Sequence, residues 1–421
     1  MLQLPEFQAL RTLAPDGRIL FSTRMVRMFA YGFMAIVLGL YLEQVGLNQD
    51  QIGVLLSWTL LGDAAVSLPI GYLADRLGRR RMLLVGAGLV VFAGVVFALT
   101  TNITLLTIAA IIGTISPSGN EVGPFLSVEQ AALPQATTDK QRTQVFAWYS
   151  LFGSVMTAFG SLLGGVISQA LQNSGMSALN SYRVVIVIYA LLGVVIGVLA
   201  LRLSPAVEIE APPKDDSLAR RFGLHKSRNI VFGLSALFIM DAFAGGLVVQ
   251  TLIVLWFHER WGVDPALLGA IYFGANLFAG LSALAAARVA ARYGLLKTMV
   301  YTHVPSNVLL ILVPLMPNLP LAILMLLARF SISQMDVPTR QSYVVAVVDP
   351  DERSAANSVT NIARTVGAAL APTVTGRLLA IGGFWLSVPF FLAGGLKLVY
   401  DFLLYRSFQT VKPPEEQPEK R

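Results

Sequence analysis

The sequence predicts an all-α polytopic membrane protein of about twelve transmembrane helices, arranged as two pseudo-symmetric six-helix halves. Three observations carry this reading. Apolar residues make up 55% of the 421 and charged residues only 13%, against roughly 25% charged in soluble proteins. Apolar runs of about twenty residues, the length that crosses a bilayer core of about 30 Å, recur along the whole chain. Charged and glycine markers also repeat at a common offset between the two halves.

Runs long enough to span lie near 18–42, 52–74, 82–100, 104–132, 143–170 and 183–203, then near 229–257, 265–288, 297–316, 320–347, 354–378 and 385–406. The fourth and tenth are interrupted by SPSG at 116–119 and DVPTR at 336–340. The first seventeen residues carry Glu6, Asp16 and two prolines and lack a basic n-region, so they read as a short cytoplasmic tail and not as a signal peptide. The Pro-containing, mixed-charge stretch 204–228 reads as a cytoplasmic linker. Residues 407–421, polar and Pro-rich, read as a disordered tail. The expected organisation is therefore 1–203, a first half; 204–228, a linker; 229–406, a second half; and 407–421, a tail.

Loop charge sets the expected orientation. Outward loops would hold only Arg183, Arg260 and Arg377, whereas inward loops would hold Arg76, Arg79, Arg80, Arg81, Lys140, Arg142, Arg220, Arg221, Lys226, Arg228, Arg292 and Lys297. The reading is a multi-pass protein of the inner cell membrane with both termini cytoplasmic. The net charge of +7 then belongs to the membrane surface and not to nucleic-acid binding. The absence of Cys rules out thiolate metal sites and disulfides, and the three His residues are too far apart in sequence for metal-ligand spacing. A GxxxxGK[ST] loop is absent. No catalytic residue, metal or cofactor is expected, and with no nucleotide-binding loop any energy input would come from a gradient across the membrane.

The repeat is visible in particular residues. Glu43 and Gly46 match Glu259 and Gly262, and Ala74, Arg76 and Gly78 match Ala290, Arg292 and Gly294, all 216 positions apart. Gln130 and Arg142 match Gln341 and Arg353 at an offset of 211. A duplicated half is how many transporters place a site between repeats.

Residues 71–81, GYLADRLGRRR, resemble the loop 2–3 motif of the major facilitator superfamily, complete at its Gly, Asp, Gly and basic positions. The resemblance implies a cytoplasmic gate formed by Gly71, Asp75, Arg76, Gly78, Arg79 and Arg80, with Asp75 meeting the start of the helix near Arg353 and Ser354. A carboxylate at a helix N-terminus is stabilised by about 0.3–1 kcal/mol, enough to bias a conformational equilibrium. The competing reading is that the arginines anchor the loop to anionic lipid. The second-half copy has Ala291 in place of Asp75, and the fourth helix has GNEVGPFLSVEQ where the family's proton-linked motif carries an intramembrane Arg.

Charges inside apolar runs are the candidate site, because each costs about 2.5–3.5 kcal/mol at mid-bilayer. They are Arg24 and Arg27 on the first helix, Asp63 on the second, Glu121 on the fourth, Asp241 on the seventh, Arg329 and Asp336 on the tenth and Arg364 on the eleventh. Asp63 precedes Asp75 by twelve residues, or ~18 Å of helix, which puts it near the midplane. By resemblance, helices 1, 4, 7 and 10 line a central cavity. The alternative is that these charges are fixed ion pairs between helices. Asp241 is expected to find its cation in Arg24, Arg27 or Arg364, and the glycines at 245 and 246 to soften its helix. Glu129 and Arg340, at matching repeat positions, are expected in a cytoplasmic gate, Glu129 with Arg76 or Arg80. Lys397 and Asp401, four apart, read as a local ion pair, and His303 as a packed residue.

The function read from the sequence is secondary active transport of a small solute by alternating access, coupled to protons, with efflux of small amphipathic compounds the first choice. Uptake or exchange of a small anion or zwitterion is the alternative, and a non-transporting membrane receptor the second. Free guanidiniums would favour the anion; guanidiniums paired with carboxylates would favour the amphipathic solute. The expected partners are the solute, the lipid bilayer and protons, without nucleic acid, for a monomer.

Overall fold

The computed structural model describes residues 13–121, 123–133, 142–208, 224–349 and 352–411. Fifteen α-helices and no strand occur among the described residues. They are α1 Pro15–Gln44, α2 Gln49–Leu77, α3 Arg79–Leu99, α4 Ile103–Ile112, α5 Phe125–Ala132, α6 Arg142–Asn173, α7 Ala178–Leu201 and α8 Arg228–Gly246. After these come α9 Gln250–Trp261, α10 Pro265–Tyr293, α11 Leu295–Leu312, α12 Leu319–Phe330, α13 Asp336–Ala346, α14 Arg353–Ile381 and α15 Val388–Phe408.

Among the described residues, nine segments are long and apolar enough to cross a membrane, with α8 and α9 counted as one. The split pairs α4–α5 and α12–α13, together with α14, supply the rest of the twelve crossings. A helix can do this because it satisfies its backbone N–H and C=O groups internally, where lipid offers them no partner. The broken crossings fall where the sequence is interrupted, with one difference. In the tenth the break is 331–335, and DVPTR opens α13. Pro338 stands in the first turn of that helix, where its missing N–H is not needed.

The helix ends follow from local chemistry. Asn48 and Gln51 form a reciprocal capping box at the start of α2, at 2.9 and 3.0 Å. The chain turns from α2 into α3 at Gly78, whose φ of +104° suits glycine alone, and the repeated Gly294 makes the same turn from α10 into α11 at +86°. The backbone N–H groups of Arg79 and Arg80, in the first turn of α3, then donate to the Glu208 carboxylate at 2.6 and 3.1 Å.

By packing, the chain forms two compact units: residues 1–212 with 250–276, and residues 213–249 with 277–421. In the first unit α1 lies along α6 and α7, α3 along α7, and α9 against α1. The α1–α6 contact is so close that a methyl at Gly32 would stand 2.1 Å from Thr157 O, and one at Gly160 2.0 Å from Phe29 O. In the second unit α8 packs on α14 and α15, and α11 on α13 and α15. Its core includes Val231, Leu234, Phe238, Met299, Tyr343 and Tyr400. Large apolar side chains such as Leu99, Leu191 and Phe402 stay exposed, as a lipid-facing surface requires.

Candidate functional site

In the first unit, Arg24 and Arg27 lie three apart on α1 and so share a face. Opposite them are Glu121, in the non-helical stretch between α4 and α5, and Glu129 on α5. Arg24 NH1 meets Glu121 Oε2 at 2.5 Å and Arg27 Nε meets Glu121 Oε1 at 2.7 Å. Arg27 also donates both terminal nitrogens to Glu129, each at 2.7 Å. This fork is the geometry in which a guanidinium binds a carboxylate best. Both side chains are fully buried. Thr23 Oγ1 at 3.0 Å and the Tyr149 hydroxyl complete the shell of Glu129. The Arg24 guanidinium stacks over the Tyr149 ring at 4.2 Å and Arg27 over Phe125 at 4.5 Å.

Asp63 is held differently. Its Oδ1 accepts the Gly123 N–H at 2.5 Å and the Ser67 hydroxyl at 3.3 Å, and among the described residues no cation stands within ion-pairing distance.

The second unit is organised around Asp241 on α8. Lys397 Nζ reaches Oδ1 at 2.5 Å, and Arg364 and Arg340 reach Oδ2 at 3.0 and 3.5 Å. Arg340 also pairs with Asp336 one turn away at 2.6 Å. His303 on α11 lies between two carboxylates, with Nδ1 2.8 Å from Asp401 and Nε2 3.9 Å from Asp241. Asn307 Nδ2 donates to the other Asp401 oxygen at 3.0 Å. Five helices, α8, α11, α13, α14 and α15, thus meet through one charged cluster.

A carboxylate clamp also lies outside the spans. Glu352 accepts the backbone N–H groups of His225, Lys226 and Ser227, the latter two at 2.8 Å. Burial by itself would raise its pKa, but these donors outweigh it and hold the group down at about 2.

The Major Facilitator Superfamily sequence model matches residues 20–327 and 234–421, which together run over nearly the whole chain. The chain belongs to this superfamily. An uncharacterized membrane protein of Saccharomyces cerevisiae, YJR124C, is 29% identical over 434 residues, with 96% of each chain covered. Among solved structures, the nucleoside transporter NupG superposes with a TM-score of 0.72 at 15% identity, covering 94% of this chain and 100% of that one. An inward-facing, occupied bacterial homologue of the human lysosomal transporter Spinster gives 0.68 at 17%, covering 94% and 97%. The human organic anion transporter MFSD10 gives 0.62 at 16%, covering 96% and 100%. At such identities the structures share the major facilitator fold with this chain.

Within that fold, Arg24, Arg27 and Glu121 fall into the first cluster and Asp241, Asp336 and Arg364 into the second, Asp63 and Arg329 stand outside both, and Glu129, Lys397 and Asp401 have partners other than those expected. Glu129 pairs with Arg27 and Tyr149, not with Arg76 or Arg80, because α5 turns it toward α1. Arg76 instead stacks over Tyr72 at 4.4 Å, and Arg80 donates to Leu201 O at 2.5 Å. Lys397 does not pair with Asp401, as their spacing suggested. Lys397 goes to Asp241 and Asp401 to His303, because α15 presents them to different neighbours. Of the three cations expected for Asp241, Arg364 is its partner, while Arg24 and Arg27 hold Glu121 and Glu129. Arg329 ends α12 with its guanidinium over the Phe330 ring at 5.0 Å. Within the 71–81 motif, Arg79 is buried and donates to Val207 O at 3.3 Å. The side chains of Asp75, Gln130, Arg142 and Ser354, like 1–12, 209–223 and 412–421, lie outside the described residues.

Sequence reasoning missed Tyr149, Glu208 and Glu352 altogether. Nothing marks one tyrosine among twelve as the partner of a buried carboxylate, or a Glu in a polar connection as the acceptor of backbone N–H groups. His303, Lys397 and Asp401 did carry a signal, being polar groups in apolar runs. Their partners are set by helix packing, which spacing along the chain does not report.

Proposed function

We propose that the chain is a secondary active transporter that moves a small solute by alternating access of its two sequence halves, 1–203 and 229–406, and exports amphipathic compounds in exchange for protons. Proton coupling rests on one observation: of the charges named inside the apolar runs of the first unit, the carboxylates Asp63, Glu121 and Glu129 outnumber the guanidiniums Arg24 and Arg27. Glu121 and Glu129 meet Arg24 and Arg27, and among the described residues Asp63 has only N–H and O–H donors. A carboxyl group at membrane depth without a counter-cation can take up and release a proton without breaking an ion pair, which is what coupling needs. A non-anionic solute is supported by the pairing of Arg24, Arg27, Arg340 and Arg364 with carboxylates. NupG and MFSD10 carry different cargoes on this fold, so the solute must be read from the site. The Lys and Arg bias supports both termini on the inner face, and Gly71, Asp75, Arg76, Gly78, Arg79 and Arg80 act there as the gate.

The test is flux in proteoliposomes under an imposed pH gradient, with a panel of amphipathic compounds. Asp63→Asn is expected to keep solute exchange at equal pH and to lose gradient-driven accumulation. Gradient-driven flux at the wild-type rate in Asp63→Asn removes Asp63 from coupling.

A further inference from the structure

The first unit holds a second polar site that the ion pairs do not use. Between α4 and α5 the described residues 113–121 and 123–124 are non-helical, and the start of α9 lies beside them. Thr251 donates its N–H to Pro117 O at 3.0 Å and its hydroxyl to the same oxygen at 2.8 Å. Irregular backbone at membrane depth is tolerated only where protein buries it or where it lines a water-filled cavity. Several of its groups are held: Ser116 Oγ donates to Asn120 O at 2.7 Å, the Tyr189 hydroxyl to Thr114 O, and Gly123 N–H to Asp63. The Asn120 side chain is different, being exposed and without a hydrogen-bond partner among the described residues.

Two more carboxamides stand close by. Gln250 lies against Gly119, so near that a methyl there would be 2.9 Å from its Oε1. Its Nε2 makes one long bond, 3.4 Å, to Ser161 Oγ, and Asn276 Nδ2 makes another of 3.4 Å to the same oxygen. A carboxamide offers two N–H donors and a carbonyl with two lone pairs. Each of these two uses one donor, at the outer limit of distance, and no described residue donates to Gln250 Oε1 or Asn276 Oδ1.

We propose that Gln250 and Asn276, both on Ser161, form the solute subsite together with Asn120, the chain neighbour of the Gly119 that Gln250 lies against, and that it takes an uncharged solute with a planar edge carrying a donor beside an acceptor. A primary carboxamide, a lactam or a heterocyclic base has such an edge. The proposal rests on the transport reading above and narrows its solute. A carboxamide presents donor and acceptor side by side in one plane and pairs bidentately with an edge of the reverse pattern. Glu121, the charge adjacent in sequence, is held by Arg24 and Arg27, so an ionic solute gains no counter-charge from it and is disfavoured by desolvation. A purely apolar solute would leave the carboxamides dehydrated and unpaired.

The test is calorimetric titration of the full-length protein in lipid nanodiscs with no gradient. Nicotinamide, uracil and adenosine are the neutral probes; benzoate and tetraphenylphosphonium are the charged ones. At least one neutral probe is expected to bind, and Gln250→Leu and Asn276→Leu each to weaken it roughly tenfold, the loss of about one good hydrogen-bonded pair. Gln250→Glu and Asn276→Asp keep side-chain size and remove the same donors, so they serve if a leucine variant fails to fold. Binding of the charged probes alone, binding of no probe, or equal affinity in the folded variants overturns the proposal. Neutral-probe binding that the variants weaken, without any flux of that probe in proteoliposomes, upholds the subsite and counts against the transport reading instead.

Discussion

Replacing Asp241 by Asn removes the one carboxylate that Lys397, Arg364 and Arg340 all face. Its Oδ1 is 2.5 Å from Lys397 Nζ, and its Oδ2 is 3.0 Å from Arg364 and 3.5 Å from Arg340. After the change Asp336 still holds Arg340, while Asp401 is engaged with His303 and Asn307. Lys397 is then a buried cation without a partner, and Arg364 a largely buried one. Removing one partner of a buried pair costs about 3–5 kcal/mol, because the remaining charge is desolvated with nothing to offset it. At roughly 2–4 °C per kcal/mol for a unit of this size, the unfolding midpoint falls by roughly 6–20 °C. The assay is intrinsic-fluorescence thermal unfolding of the purified protein in detergent. Adding Lys397→Met to Asp241→Asn should recover a large part of the loss, since the double variant buries one cation fewer. A midpoint within about 2 °C of wild type for the single variant, on the same conversion, would refute the hub. So would a double variant no more stable than the single one.

Three further expectations follow from the same reasoning. Glu129→Gln breaks the fully buried fork with Arg27 and should lower stability by about 3–5 kcal/mol, with partial recovery in Glu129→Gln/Arg27→Met. Gly32→Ala puts a methyl 2.1 Å from Thr157 O, so α1 and α6 must part, at about 1–3 kcal/mol, read as a lower unfolding midpoint. Glu352 has a folded pKa lowered from 4.5 to about 2. Its contribution to stability is therefore complete above about pH 4.5 and lost as pH falls toward 2. Glu352→Gln should flatten that part of the acid-unfolding profile, and an unchanged profile would remove the clamp from the account.

The sequence by itself determined the class of fold and most helix limits. Span length against bilayer thickness and the satisfaction of backbone groups within each helix are local requirements, and composition reports them directly. Gly78 and Gly294 were legible for the same reason: a turn between abutting helices needs positive φ, and the repeat marks both positions. The charges at Asp63, Glu121 and Asp241 stood out because an ionised group in an apolar run needs a reason. Who pairs with whom was decided only by tertiary packing. Lys397 and Asp401 face each other in sequence spacing and turn to different helices in the structure, and Glu129 turns inward to Arg27 because α5 is a short helix after a non-helical stretch, seen at 113–121 and 123–124. Ion pairs across a bundle depend on helix rotation, and rotation is fixed by contacts such as Gly32 on Thr157, made between residues more than a hundred positions apart.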